Sequence, residues 1–292
     1  MQTADETYEK KLESAFQTVL NSHGYGFHYS VLKLASDLHN DNKSDWLLEA
    51  VEFPVQVQSS GLRIDFILRH RDHPTFYLLA ECKRVNPALS NWCFARAPFI
   101  RRNRSIEWLF LEHFQRKVPI SNRWDIYSSS RRGPQLKDAY HIALDVRSGE
   151  RGDPFGKGRG GVIEEASTQV CRGIGGMVEF LARNLLVLGD ATEAHFLPVI
   201  FTTAQIWTSD VNLSSAELQT GKVNLSDTDF SKRDYIFYQY QVSPGLKHSY
   251  SPVDRPANIG ELMDSEYVRS IAIVGASGIQ PFLNWSSQID LW

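Results

Sequence analysis

The hydrophobic pattern of residues 62–84 predicts two β-strands joined by a tight turn. Apolar side chains alternate with other residues from Leu62 to Leu68, and a second apolar run extends from Phe76 to Ala80. Alternation with a period of two is typical of a strand. The intervening residues 71–74 include Asp and Pro, which favour turns. We therefore expect a β-hairpin that is folded about His73.

The same reasoning predicts further elements along the chain. The predicted helices cover residues 4–22, 105–117 and 162–184, and a short terminal helix begins near residue 278. The predicted strands cover residues 49–84, as three antiparallel strands, and residues 140–146, 195–207, 234–242 and 269–274. Residues 128–134 and 149–161 are predicted loops. We interpret residues 1–292 as a single α/β domain, with residues 93–160 as an elaboration of its core.

The predicted hairpin brings charged residues together. Its register puts Asp65 opposite Glu81, and Lys83 lies two residues after Glu81 on the same strand face. Two carboxylates that face each other repel, unless one is protonated or a divalent cation lies between them. The neighbouring lysine favours the cation. Carboxylate oxygens are ligands for Mg²⁺, and Mn²⁺ is the alternative. Such a cation can activate a water and neutralise charge on a phosphate, which suits phosphodiester hydrolysis.

These residues resemble the signature of the PD-(D/E)XK nuclease superfamily. Asp65 precedes a hairpin, and Glu81-Cys82-Lys83 is similar to the (D/E)xK part of the signature. The preceding strand at residues 53–57 also resembles the family, whereas Ile64 stands where the family name has proline. The resemblance implies a restriction-endonuclease-like fold, in which helices flank a central mixed β-sheet. Here a basic insertion would follow the ExK strand.

The resemblance also implies roles for individual residues. Asp65 and Glu81 would be metal ligands, and Lys83 would be the catalytic lysine. We expect the backbone carbonyl of Cys82 to assist the two carboxylates in holding Mg²⁺ or Mn²⁺. An ExK sequence alone is common on strand surfaces. The position of Asp65 directly opposite Glu81 in the predicted hairpin is what favours a functional interpretation.

Two further residues are weaker candidates for this site. Glu13 lies on the first predicted helix, whose glutamate supports the metal site in many such nucleases, here through water. A solvated helix face is the equal alternative for Glu13, and Glu9 competes for the role. Gln169 lies on the predicted helix 162–184, where a glutamine is common in several branches. Packing of Gln169 against another helix is an equally good interpretation.

Charge is distributed unevenly along the chain, which has a net charge of -3. Residues 93–160 contain 14 Lys and Arg against seven Asp and Glu, and residues 161–292 contain eight against 15. A basic segment with interleaved aromatic residues is typical of a surface that binds nucleic acid. The alternative is that its arginines pair with the acidic C-terminal third. The candidate nucleic-acid contacts are Arg101, Arg102, Arg104, Arg131 and Arg132.

Composition favours a cytoplasmic enzyme. No apolar run has the length of a membrane span, and the polar N-terminus does not resemble a signal peptide. Three cysteines without paired spacing are predicted to be free thiols. We therefore expect a Mg²⁺-dependent endonuclease that acts on nucleic acid, with DNA favoured, and a homodimer or larger assembly is an open alternative. The alternative is a nuclease fold that has lost catalysis and binds nucleic acid or protein.

Overall fold

The computed structural model describes most of the chain. The described residues are 4–22, 24–57, 60–86, 90–97, 107–117, 125–146, 161–224, 226, 229–246 and 250–289. The predicted loop at residues 149–161 lies outside this set except for Gly161, and Arg101, Arg102 and Arg104 lie wholly outside it.

Within the described residues, the chain forms two β-sheets with α-helices packed on them. The strands are Trp46–Val57 (β1), Ser60–His70 (β2), Phe76–Lys83 (β3), Asn91–Ala95 (β4), Glu107–Lys117 (β5), Asp125–Leu136 (β6), Ile142–Val146 (β7), Glu193–Thr202 (β8), Gln205–Ser209 (β9), Phe230–Arg233 (β10), Tyr235–Gln241 (β11) and Val268–Gly275 (β12). The α-helices are Ala4–Ser22 (α1), Tyr25–Asn40 (α2), Val162–Arg183 (α3), Ile259–Tyr267 (α4) and Ile279–Ser286 (α5). The fold is therefore α/β.

The larger sheet is mixed and has the strand order β1-β2-β3-β8-β12-β11. Its central strand β8 runs parallel to both β3 and β12. The first half of β8 also pairs with β5, which forms an antiparallel ribbon with β6. The smaller sheet has the order β10-β9-β4-β7. Because β9 follows β8 after a short turn, the two sheets are joined next to the end of the central strand.

The hairpin predicted for residues 62–84 is confirmed as β2 and β3. Phe66 pairs with Ala80 and Leu68 with Leu78, which is the register of a turn centred on His73. One further step along this register brings Asp65 level with Glu81. The third predicted antiparallel strand is β1, which pairs with β2 along its whole length.

The predicted helix at residues 162–184 is confirmed as α3, which packs across β1 and β2. Glycines allow this close approach. A Cβ at Gly176 would lie 2.5 Å from the Val55 side chain, and one at Gly173 would lie 3.3 Å from Ile64. The helix backbone can therefore lie nearly in contact with the strands, as the small residues on this face predict.

The predicted amphipathic helix at residues 105–117 is wrong, because residues 107–117 form β5. This strand pairs with β6 on one side and with β8 on the other, so both of its faces are largely buried. The polar residues that suggested a solvent-facing helix side have partners inside the protein. The Glu112 carboxylate accepts hydrogen bonds from Ser128 and Arg269, and all three residues are buried.

Other boundaries also differ from the predictions. The predicted loop at residues 128–134 is part of β6, where the serine hydroxyls lie buried between neighbouring strands. The single strand predicted at 195–207 is divided between β8 and β9, which belong to different sheets.

The helix α2 was not predicted, since Gly24 and Gly26 were interpreted as ending the first helix. Gly24 adopts a left-handed conformation directly before α2 begins.

The basic segment contributes to both sheets. Residues 93–160 include most of β4 and all of β5, β6 and β7, so part of this segment lies inside the core.

The three cysteines are free, as predicted. Among the described helices, none combines the length and the apolar composition that crossing a bilayer requires.

Candidate metal centre

A polar cavity of about 260 Å³ lies where β1, β2 and β3 meet the start of α2. The residues that line it are Gly24, Tyr25, His28, Glu52, Asp65, Glu81, Cys82, Lys83 and Arg84. All three members of the predicted Asp65, Glu81 and Lys83 set are therefore in one cavity. The structure brings them together through the register of a single hairpin.

Asp65 is held in place by the backbone of the adjacent strand. The Cys82 N–H donates a hydrogen bond to the Asp65 carboxylate at 2.7 Å. This bond lowers the pKa of Asp65, but burial raises it by more, and the net direction is upward. Cys82 thus lines the cavity as expected, while a ligand role for its carbonyl oxygen stays a prediction.

Glu81 is almost completely buried, and its ionisation is strongly disfavoured. Burial, followed by the negative charge of Asp65, raises the pKa of Glu81 from 4.5 to about 8, although Lys83 acts in the opposite direction. Two carboxylates that converge in a buried cavity cannot both ionise at low cost. A bound cation would remove this penalty, so the arrangement fits a metal site.

Lys83 connects the two strands to α3. Its ammonium group lies 3.0 Å from the Glu81 carboxylate and donates a hydrogen bond to the Gln169 side chain, also at 3.0 Å. Glu165, one turn before Gln169, lies 3.7 Å from the same ammonium group. The structure therefore brings Gln169 to the candidate site, where it orients Lys83. Of the two interpretations of Gln169, the geometry agrees with proximity to the site.

Two cavity residues, His28 and Glu52, were not identified from the sequence. Together with Asp65 they offer three potential ligand atoms that all lie within 4.8 Å of one another. Glu52 lies level with Asp65, because its neighbours Val51 and Phe53 pair with Phe66 and Ile64. Its backbone has a left-handed φ of 50°, which is strained for a glutamate. Strain of this kind is concentrated at functional sites.

His28 extends into the cavity from α2, and its ring stacks on Phe66. One ring nitrogen, Nδ1, lies 3.6 Å from the Glu52 carboxylate. The other, Nε2, is buried and has no hydrogen-bond partner among the described residues. A buried polar atom without a partner costs free energy, so this nitrogen fits a ligand that would satisfy it. The sequence signal for His28 was absent because α2 itself was not predicted.

Glu13 is not brought to the cavity. It lies on α1, where its side chain is exposed, and the nine lining residues do not include it. Of the described helices, α2 contributes to the cavity lining, through Tyr25 and His28. The competing residue Glu9 is also exposed on α1.

The described candidates for nucleic-acid contact lie outside the cavity. Arg131 and Arg132 are exposed on β6, and neither is among the lining residues. Arg132 donates a hydrogen bond to Asp264 at 3.2 Å, which agrees with the alternative that basic residues pair with the acidic C-terminal third. By contrast, Arg84 follows the ExK strand directly, and it is both exposed and part of the cavity lining.

Comparisons of this chain with protein-family models, with curated proteins and with solved structures gave no match. The chemistry of the site therefore has to be argued from its donor atoms, their distances and their burial.

Proposed function

We propose that this protein is a metal-dependent nuclease with a restriction-endonuclease-like fold, and that it hydrolyses phosphodiester bonds in DNA. The observation that carries the proposal is the convergence of Asp65, Glu81 and Lys83 in one polar cavity. They resemble the acid, acid and lysine positions of the PD-(D/E)XK signature, and they come from the adjacent strands β2 and β3.

The donor atoms of the cavity fit a divalent cation. Asp65 and Glu81 would hold Mg²⁺ or Mn²⁺. His28 and Glu52 each offer a potential ligand atom within 4.8 Å of one on Asp65, and Glu81 lines the same cavity. When bound, the cation would supply a Lewis acid that lowers the pKa of water and neutralises charge on the phosphate. Because imidazole suits Mn²⁺ better than Mg²⁺, His28 favours Mn²⁺ in this site.

Lys83 is positioned to act on the attacking water or on the phosphate. The Gln169 side chain and the Glu81 carboxylate hold its ammonium group from two sides. Only about a fifth of the Lys83 side chain is exposed, so its charge acts in a partly water-excluded environment. A positive charge that is fixed in this way stabilises negative charge developing on a phosphate oxygen. Gln169 is thus a positioning residue.

A polymer substrate is favoured by Arg84 at the cavity and by the arginine-rich composition of residues 93–160. Arg84 is available at its edge, and an arginine can form two parallel hydrogen bonds to one phosphate. Arg131 and Arg132 are exposed on β6, and Arg101, Arg102 and Arg104 belong to the same basic segment. A segment with this excess of arginine would bind the backbone of a nucleic acid through charge.

Cleavage assays with matched variants test the proposal. Purified protein is incubated with plasmid, linear duplex DNA, single-stranded DNA and RNA, with Mg²⁺, with Mn²⁺ or with a chelator. We expect metal-dependent cleavage that is lost in Asp65→Asn and Lys83→Ala. The control Lys33→Ala, which removes an exposed lysine of α2, should cleave as wild type.

Binding measured on the same preparations separates catalysis from recognition. Lys83→Ala should keep its affinity for DNA, since one phosphate contact is a small part of the total. Cleavage by Lys83→Ala at the wild-type rate would refute the nuclease assignment. Binding without cleavage by the wild type, under all metal conditions, would instead indicate a non-catalytic nucleic-acid-binding protein.

A further inference from the structure

A second cluster of metal-ligating residues lies at the opposite end of the central strand from the cavity. It consists of His113 on β5 and of Glu193 and His195 at the start of β8. Each residue offers one potential ligand atom, and the three atoms lie within 4.8 Å of one another. None of these residues lines the cavity that contains Asp65 and Glu81.

The strand register builds this cluster. His113 and His195 are direct partners in the antiparallel pairing of β5 with β8, so their side chains project from the same face. Glu193 is two residues before His195 and therefore shares that face. The backbone thus fixes all three side chains on adjacent strands, which is a more rigid support than a loop provides.

The cluster has an unsatisfied nitrogen inside the protein. The His113 side chain is completely buried, and its Nε2 lies 2.9 Å from the Glu193 carboxylate. Its other ring nitrogen, Nδ1, is buried without a hydrogen-bond partner among the described residues. Glu193 remains about 29% exposed, which leaves a route from solvent to the cluster. The burial of His113 Nδ1 costs free energy, because no hydrogen bond from the described residues compensates for its lost hydration.

We propose that His113, Glu193 and His195 form a transition-metal site, with Zn²⁺ as the best-fitting ion. Two imidazoles and one carboxylate are a common zinc donor set, with a fourth position left for water. A bound ion would link β5 to β8, which pair over only four residue pairs. It would thereby fasten the β5–β6 ribbon, which carries Arg131 and Arg132, to the central strand.

Binding requires one change of side-chain orientation. The two imidazole rings are stacked, with centroids 4.5 Å apart and planes inclined by 3°. A metal ion lies close to the plane of each imidazole that binds it, so one ring must rotate out of the stack. The alternative is a buried, metal-free stack in which Glu193 accepts one hydrogen bond from His113.

Zinc titration of the full-length protein, after removal of metals with a chelator, tests the site. We use Asp65→Asn as the parent protein, so that the candidate metal centre contributes less to the signal. Competition with a fluorescent zinc indicator should show one tight equivalent per chain. Even the loss of a residue that only supports a ligand typically costs 10–100-fold in metal affinity. Because Glu193 is proposed as a direct ligand, Glu193→Gln should weaken zinc binding by at least about tenfold. The control His73→Gln, at an exposed histidine, should bind as its parent.

Two further measurements keep the test decisive if a buried-site variant folds poorly. Zinc should raise the thermal unfolding midpoint of the parent more than that of Glu193→Gln at the same zinc concentration, because a ligand that binds only the folded state stabilises it in proportion to its binding free energy. Anomalous diffraction at the zinc edge from wild-type crystals should locate an ion between the three side chains. Failure to bind zinc, unchanged binding by Glu193→Gln, or an ion found only elsewhere would overturn the proposal. None of these outcomes depends on nuclease activity.

Discussion

Replacing Glu81 by glutamine should stabilise the metal-free protein at pH 8 while abolishing metal-dependent cleavage. The reason is the cost of ionising a buried carboxyl group beside Asp65. The pKa of Glu81 is raised from 4.5 to about 8 in the folded protein, mainly by burial. Between these two values, the folded state retains a proton that the unfolded state has released. The free energy of unfolding must therefore fall as pH rises through this range.

The magnitude follows from the same two values. Each pKa unit corresponds to about 1.4 kcal/mol, so a change from 4.5 to about 8 gives an upper limit of about 5 kcal/mol above pH 8. Relaxation of the cavity and entry of water reduce this figure, and we expect a measured loss of about 2–3 kcal/mol between pH 5 and pH 8. Burial raises the pKa of Asp65 as well, which adds a loss of the same sign at lower pH.

Glutamine resembles the protonated form of Glu81 in shape, and its side-chain oxygen can still accept a hydrogen bond from Lys83. The variant should therefore unfold with a free energy that exceeds the wild-type value at pH 8 and approaches it at pH 5. Urea titrations in the presence of a chelator, at several pH values, measure the difference. Because the other ionisable groups are shared, the pH dependence of this difference reports the Glu81 carboxyl together with its interaction with Asp65.

A matched control and a metal-loaded measurement complete the test. Glu165→Gln also removes a carboxylate near Lys83, but that side chain is 72% exposed, so its variant should show the wild-type pH dependence. Saturating Mn²⁺ should restore the stability of the wild type at pH 8 and stabilise Glu81→Gln less, because the variant has lost one carboxylate donor. A difference between wild type and Glu81→Gln that stays constant from pH 5 to pH 8.5 would refute the reasoning.

Two other predictions follow from the structure, and a third follows from the distribution of charge along the sequence. His28→Ala should weaken the binding of Mn²⁺ more than that of Mg²⁺, because it removes an imidazole donor, and calorimetric titration of both ions measures this. Gly176→Ala should destabilise the protein by about 1–3 kcal/mol through a clash with Val55, whereas Gly175→Ala, whose nearest neighbour would lie at 3.6 Å, should be tolerated in the same urea titration. Replacing three basic residues with Gln should weaken the binding of every DNA sequence about equally. It should also flatten the dependence of the logarithm of the DNA-binding constant on the logarithm of the salt concentration by roughly 0.9 per lost duplex phosphate contact. An unchanged slope with lower thermal stability would instead favour pairing of these residues with acidic residues. The three residues are Arg101, Arg102 and Arg104.

The part of the site that could be predicted from the sequence is the part formed by short-range pairing. Asp65 and Glu81 are separated by 16 positions and by one tight turn, so their register follows from the alternation of the two strands. Gln169 is distant in sequence, and it was a candidate because the family resemblance implies a glutamine on this helix. A local pattern carried the information for Asp65 and Glu81 only.

The strand β5 was mispredicted because the partners of its polar residues are distant in sequence. Glu112 and His113 interrupt an apolar run, and in isolation such residues indicate a solvent-facing side of a helix. Glu112 is instead paired with Arg269, and His113 is in contact with Glu193. Propensity and periodicity do not encode contacts over such separations, so tertiary packing determined the element.

Two residues of the cavity, His28 and Glu52, were missed, and Glu13 was expected there although the structure leaves it exposed on α1. A supporting side chain was expected from the first helix of the chain, but the helix beside the cavity is the second, which starts after the left-handed Gly24. Glu52 was overlooked because it lies on a regular-looking strand, although its backbone has a positive φ. Such a conformation persists only where the surroundings enforce it. Here the enforced residue is a carboxylate level with Asp65, which is where a cation would compensate for both charges.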